Sequence, residues 1–264
     1  MYDFNYHRPV SIADAVKLLG AAGDGKFIAG GQTLLPTLKN RLASPSDLVD
    51  LTGISELGGI SVAGGVVSIG ATTLHATVAT SPEIARVIPA LAALAGGIGD
   101  RQVRNMGTIG GSLANNDPAA DYPAAVLGLG ATIHTNSRTI AADDFFKGMF
   151  ETALNDGEII VKVTFPVPKR AGYVKFPNPA SRYVMVGAFV AETASGVRVA
   201  INGAAPCVFR HKEMEAALAK SFTPDALKGI KTPAKGLNGD IHASSEYRAH
   251  LVGVIARRAV AAAK

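Results

Sequence analysis

Two glycine-rich stretches constrain this chain more than any other feature: IAGGQTLLP at 28–36 and GTIGGSLANNDPAADYP at 107–123. Around the first, KFIAGG (26–31) reads as a short buried strand running into glycines. TLLPTLKNRLA (33–43) then reads as a helix and DLVDLT (47–52) as a second strand. That is a β–loop–α–β unit with its glycines at the carboxyl end of a strand. Residues without a Cβ let a turn aim several backbone N–H groups into one concavity, which suits phosphate oxygens. Thr33, Thr108 and Ser112 add hydroxyl donors. Neither stretch is a P-loop, because no Gly-Lys-Ser/Thr follows, and neither fits G-x-G-x-x-G. The nearest spacing, GGIG at 96–99, falls at the end of a helical pattern instead of a strand. The second stretch is flanked by Asn115, Asn116, Asp117 and Asp121. Carboxylates do not face phosphates usefully but accept from sugar-type hydroxyls or a heterocycle N–H, so the pair of loops points to a ligand with a diphosphate and such groups. Asp117, before Pro118, reads equally well as a helix N-cap.

The rest of the chain alternates elements. Ser11 is placed to cap a helix whose apolar face is Ile12, Ala15, Val16, Leu18 and Leu19. GGISVAGGVVSIGA (58–71) reads as a hairpin, SPEIARVIPALAALA (81–95) as a helix started by Ser and Pro, and DYPAAVLGLGATIHT (121–135) as helix then strand. DGEIIVKVTFPVP (156–168) is a turn and a strand, and FPVPKRAG (165–172) is the main joint. Three β-rich runs follow at 172–176, 183–192 and 196–204. Helical patterns then cover 212–220, 223–230 and 244–263. At 264 residues the chain is long for a single core, so two or three units are expected.

One cysteine, Cys207, excludes a disulfide framework, a Cys-x-x-Cys zinc site and a four-cysteine iron–sulfur cluster within the chain. It reads as a small buried apolar residue, and no metal ligands are expected. The net charge of +5 is scattered, and its densest groups (39–41, 168–170, 256–258) are short and lack interleaved aromatics, so nucleic acid is not the expected partner. The longest apolar run, VIPALAALAGGIG (87–99), is broken by Pro89, Gly96 and Gly97, short of the roughly 20 residues of a membrane span. The N-terminus has neither a basic start nor an apolar h-region, and a cytoplasmic protein is expected.

Taken together, NYHRPVSIADAVKLL (5–19), AGGQTLLPTLKNRLASPSDLVDL (29–51), IGATTLHATV (69–78), RQVRNMGTIGGSLANNDPAADYPAAVLGLGA (101–131), GEIIVKVTFPVP (157–168) and the tail HASSEYRAHLVGVIARRAV (242–260) resemble the FAD-binding medium subunit of molybdenum hydroxylases. That family includes the flavoprotein subunit of aerobic carbon monoxide dehydrogenase and the flavin domain of xanthine dehydrogenase. The resemblance covers nearly the whole chain and implies an α+β FAD-binding fold of the vanillyl-alcohol-oxidase type. Two FAD subdomains would span residues 1–55 and 56–168, and a smaller C-terminal domain of antiparallel strands and helices would span 169–264.

Carried over position by position, the resemblance implies that Ala29, Gly30, Gly31, Gln32 and Thr33 give backbone donors to the pyrophosphate, with Leu34 adjoining. Thr108, Ile109, Gly110, Gly111 and Ser112 would form a second wall, with Asn115 beside the ribityl–phosphate chain and Asp121 on cofactor hydroxyls. Ile98 and Ile160 would make apolar contacts. Lys175 would lie near the flavin and stabilise its anionic reduced form, and Tyr183 would gate one face of the isoalloxazine. Some members carry histidine where this chain has Gln32, a change that a backbone-based site should tolerate.

The implied function is an oxidoreductase subunit that holds FAD noncovalently. It would relay electrons from the iron–sulfur clusters of a small partner subunit, supplied by a large molybdenum-cofactor subunit, to an external acceptor. A dimer of heterotrimers is the implied assembly. The alternatives are a stand-alone FAD oxidase or dehydrogenase of the same fold, and a nucleotide-binding module without catalysis. Covalent flavin attachment would need a motif around His75 or His134, and none is present.

Overall fold

A computed structural model describes all 264 residues. Three main sheets, of three, five and four strands, follow one another along the chain, with one two-stranded hairpin besides. The first is parallel, in the order β1 (Asn5–His7), β3 (Asp47–Asp50), β2 (Gly25–Ile28). Helix α1 (Ile12–Ala21) connects β1 to β2. It is capped by the Ser11 hydroxyl, which accepts from the Asp14 N–H at 3.1 Å. The loop 29–33 and the short α2 (Leu34–Lys39) connect β2 to β3. Ala15, Val49, Ile54, Leu57 and Ile159 form the small core beneath this unit.

The second sheet is antiparallel, in the order β4 (Ile60–Ala63), β5 (Val66–Gly70), β10 (Ile160–Pro166), β6 (Thr132–Thr135), β7 (Thr139–Ala141). Gly64 and Gly65 make the β4–β5 turn with φ of 56° and 75°, the left-handed pair that a tight hairpin requires. Between β5 and β6 lie α3 (His75–Thr80), α4 (Pro82–Val87), α5 (Pro89–Gly96), α6 (Arg101–Arg104), α7 (Ile109–Asn115) and α8 (Tyr122–Leu129). The helical pattern at 81–95 is therefore two helices, divided where Pro89 has no N–H to continue the ladder. Helix α8 is buried at every position, including Tyr122 at 0% exposure. The short α9 (Ala142–Phe145) leads into a small hairpin, β8 (Phe146–Gly148) with β9 (Glu151–Thr152).

The third sheet, β11 (Arg170–Pro177), β12 (Val184–Thr193), β13 (Gly196–Asn202), β14 (Phe209–Arg210), is an antiparallel meander. β12 is buried from Val184 to Ala191 because both of its faces are covered. Val186, Ala188 and Val190 pack with the third-sheet helices α10 (Lys212–Lys220) and α11 (Ser245–Ala262), whereas Phe189 and Ala191 join the core of the second sheet. The expected helix at 223–230 is only a 3₁₀ turn, Pro224–Leu227; Gly229 beyond it has φ of 86° and ends the helical path. No helix is long and apolar enough to cross a membrane.

Candidate functional site: a cleft with one row of free backbone donors

The carboxyl end of β2, the start of α7, the turn after α5 and the segment before β12 enclose a cleft of about 640 Å³. Its size falls in the range of small-molecule and cofactor sites. Ala29, Gly30, Gly31, Gln32, Thr33, Leu34, Ile98, Thr108, Gly110, Gly111, Ser112, Asn115, Asp121, Ile160 and Tyr183 all line it. Two residues of the sequence-based set, Ile109 and Lys175, do not.

The glycine loops meet directly. A Cβ on Gly30 would lie 2.1 Å from the Met106 carbonyl oxygen and 2.7 Å from Gly107 Cα, so only glycine permits this approach. Gly31 takes a φ of 69°, which turns the chain from β2 into α2. The backbone N–H groups of residues 29–34 make no hydrogen bond within the chain. Six successive donors on the wall of a cleft are a ready anion cradle.

The second loop is built otherwise. Its N–H groups serve the fold: Ile109 donates to the Thr73 carbonyl at 3.2 Å, Gly110 to the Ala71 carbonyl at 2.8 Å and Ser112 to the Thr108 carbonyl at 3.0 Å. Gly111 donates to Thr108 Oγ1 at 3.2 Å, the N-cap of α7, so this hydroxyl acts as an acceptor for the helix. Of the N–H groups from 107 to 112 only that of Thr108 has no partner in the chain, so the row of free donors belongs to the first loop. The glycines of the second serve close packing. A Cβ on Gly110 would sit 2.6 Å from Ala71 Cβ, and Ile109 is fully buried beneath the loop. What this wall offers the cleft is a row of side chains, Thr108, Ser112 and Asn115, spaced along one face of α7.

Asp121 is 5% exposed and already engaged. It accepts from the Tyr173 hydroxyl at 2.8 Å and pairs with Lys175 Nζ at 2.9 Å. Burial pushes its carboxyl above the usual range, while Lys175 and Tyr173 pull it back. The Lys175 ammonium has three partners: Asp121, the Gly97 carbonyl at 2.9 Å and the Arg182 carbonyl at 3.0 Å. It thus stands behind the wall as a knot joining three segments. Asp117 does not cap α8; its carboxylate accepts from the Ala119 N–H at 2.8 Å in a local turn.

The turn after α5 collects further cations. Arg104 donates to the Ile98 and Gly99 carbonyls at 2.9 and 3.1 Å, and Arg182 donates to Gly99 at 3.3 Å. Arg182 has φ of 63°, a left-handed conformation that turns the chain into Tyr183. Tyr183 lines the cleft and is 50% exposed; burial, then Asp117 and Asp121, raise its hydroxyl pKa and keep the phenol neutral.

Sequence reasoning missed Arg182, Glu158 and the placement of His75, all of which line the cleft. Glu158 accepts from Arg138 Nε and Nη2, both at 2.9 Å, from Thr135 and Ser137 hydroxyls and from the Asn155 N–H. Arg138, chiefly, holds its carboxyl down to about 2. Glu158 thereby fixes the turn that delivers Ile159 and Ile160 to the site. Only its position beside the apolar pair Ile159–Ile160 hints at this in the sequence.

A parallel βαβ unit facing an antiparallel sheet across a cleft, with a free N–H row on one lip, defines a phosphate-bearing cofactor module of α+β class. Residues 2–168 match the family described as the FAD binding domain in molybdopterin dehydrogenase. The chain belongs to the family of FAD-binding medium subunits of molybdenum hydroxylases. It is 39% identical to the nicotine 6-hydroxylase medium subunit of Paenarthrobacter nicotinovorans, over 97% of this chain and 95% of that one. It superposes with a TM-score of 0.90 on a chain of reconstituted CO dehydrogenase from Oligotropha carboxidovorans, 34% identical, covering 98% of this chain and 97% of that one. Quinoline 2-oxidoreductase from Pseudomonas putida 86 gives a TM-score of 0.88 at 32% identity, covering 98% and 96%. The fold is therefore the α+β FAD-binding fold, and the protein is the flavoprotein component of a multi-subunit oxidoreductase.

Proposed function

We propose that this chain holds FAD noncovalently in the cleft. There it passes electrons from the iron–sulfur clusters of a small partner subunit, filled by a large molybdenum-cofactor subunit, to an external acceptor, within a dimer of heterotrimers. The observation that carries the reading is the run of unpartnered N–H groups at 29–34 on the wall of the 640 Å³ cleft, which fits a diphosphate. When bound, FAD supplies an acceptor that takes up electrons singly and releases them as a pair.

The chain's own residues bind and orient. Residues 29–34 hold the diphosphate, Ser112 and Asn115 meet hydroxyls of the ribityl chain, and Ile98 and Ile160 cover apolar surface. Tyr183, half-exposed, shields one side of the opening. Lys175 acts on the flavin only through Asp121 and the segments it ties, since its ammonium is already saturated. The three-part organisation, 1–55, 56–168 and 169–264, belongs to the same reading and is supported by the three successive sheets. Relatives named for nicotine, carbon monoxide and glyceraldehyde share this subunit type, which supports placing substrate choice in another subunit.

The test is a visible spectrum of the purified complex before and after mild acid release. A flavin band near ~450 nm that leaves with the supernatant as FAD, with iron–sulfur absorbance in the intact complex, is the expected result. A colourless chain that takes up no added FAD would overturn it.

A further inference from the structure

His75 is the one imidazole in the cleft wall, and its ring makes no hydrogen bond within the chain. It opens α3 and is 5% exposed. Its backbone N–H donates to the Gly107 carbonyl at 2.9 Å, which pins α3 under the second loop. The ring lies against Tyr122, with centroids 5.3 Å apart and planes tilted at 52°. Nδ1 is sealed from solvent with no partner. The Nε2–Cδ2 edge abuts Gly107 so closely that a Cβ there would lie 2.5 Å from Nε2. Unlike Nδ1, Nε2 is not among the occluded unpartnered atoms, and His75 and Gly107 both line the cleft.

Two physical arguments fix what this ring can do. Burial, and secondarily Arg104, hold its pKa down to about 4, so it is neutral near pH 7 and cannot serve as a counter-charge. A neutral imidazole carries one proton. Placing it on Nδ1 would orphan a buried N–H, a rare arrangement in folded proteins, so the proton belongs on Nε2. The Nε2 edge lies against Gly107, a lining residue of the cleft on which Gly30 of the free N–H row packs.

Resting on the FAD reading above, we propose that His75 is a neutral hydrogen-bond donor that delivers Nε2–H to a phosphoryl oxygen of the bound dinucleotide. It completes from below the cradle that residues 29–34 form from the side. A glycine at 107 is then required for access to the imidazole edge as well as for packing.

The test compares His75→Leu, His75→Gln and His75→Asn in the full chain, with FAD affinity by titration and the ³¹P spectrum of bound FAD as readouts. A glutamine amide nitrogen occupies about the place of Nε2, whereas an asparagine amide mimics Nδ1. A hydrogen bond to a charged group is worth about 1.5–3 kcal/mol, so Leu and Asn should weaken FAD binding roughly 10- to 100-fold. Both should also shift the diphosphate ³¹P signals, and Gln should restore affinity to within a few-fold. Equal losses for Leu and Gln, or a Leu variant that binds FAD with unchanged ³¹P shifts, would overturn the proposal. Should the variants not fold, imidazole ¹⁵N shifts in the wild-type chain decide. The Nε2–H tautomer with an Nε2 signal that moves on adding FAD is expected, and an unmoved signal overturns it. Failure of the wild-type chain to bind FAD would instead defeat the underlying reading.

Discussion

Replacing Lys175 by Met should be the most damaging single change behind the site, and its size follows from burial. The substitution keeps the aliphatic stem but removes the ammonium, 12% exposed, that neutralises Asp121, 5% exposed. Breaking a buried pair from one side typically costs about 3–5 kcal/mol. Asp121 can escape by taking up a proton. Three pH units above an ordinary carboxylate pKa, that uptake costs about 4 kcal/mol at pH 7, which caps the electrostatic loss. Two carbonyls, of Gly97 and Arg182, also lose their donor.

A loss of about 3–4 kcal/mol corresponds to a fall in Tm of roughly 10 °C for a chain of this size. The sign of its pH dependence is fixed. In the variant the folded-state pKa of Asp121 rises further above its unfolded value. The folded state is then unpenalised below the unfolded pKa and loses stability as pH rises towards the folded pKa. The gap between wild type and variant should therefore widen from pH 5 to pH 8 in paired urea or thermal melts. Adding Asp121→Asn should recover part of the loss, because Asn needs no counter-charge and still accepts from Tyr173. A loss below about 1 kcal/mol that does not change with pH would refute the reasoning, since Asp121 would then not depend on Lys175.

Gly30→Ala forces a methyl group to within 2.1 Å of the Met106 carbonyl and should separate the two loops. An overpacking cost of about 1–3 kcal/mol and at least a ten-fold loss of FAD affinity are expected by melt and titration. Gly20→Ala, in α1 with nothing within 4 Å, should instead stabilise by about 0.5–1 kcal/mol. Glu158→Gln should lower stability by about 2 kcal/mol at neutral pH. It should also flatten the acid limb, because the wild-type contribution is present above pH 4.5 and is lost as pH falls towards about 2. An unchanged acid melt would show that Glu158 is not the group responsible.

The local chemistry was legible in the sequence. Caps, glycine turns and the β–loop–α–β order are decided by residues within a few positions of each other, as with Ser11 for α1 and Gly64–Gly65 for the hairpin. The motif resemblance carried the family because the loops stand in fixed order and spacing. Tertiary structure decided which of two similar glycine loops keeps its donors free. The second loses most of them to the carbonyls of Ala71 and Thr73, nearly 40 residues earlier, and to the oxygens of Thr108, whereas no acceptor in the chain bonds the N–H groups of the first. It also decided that Lys175 is a saturated knot and that His75 lies in the cleft wall with a nitrogen to spare. Whether a donor or a charge is available to a ligand depends on what the rest of the fold already places beside it. A pattern along the chain names the groups, and packing settles which of them remain unpaired.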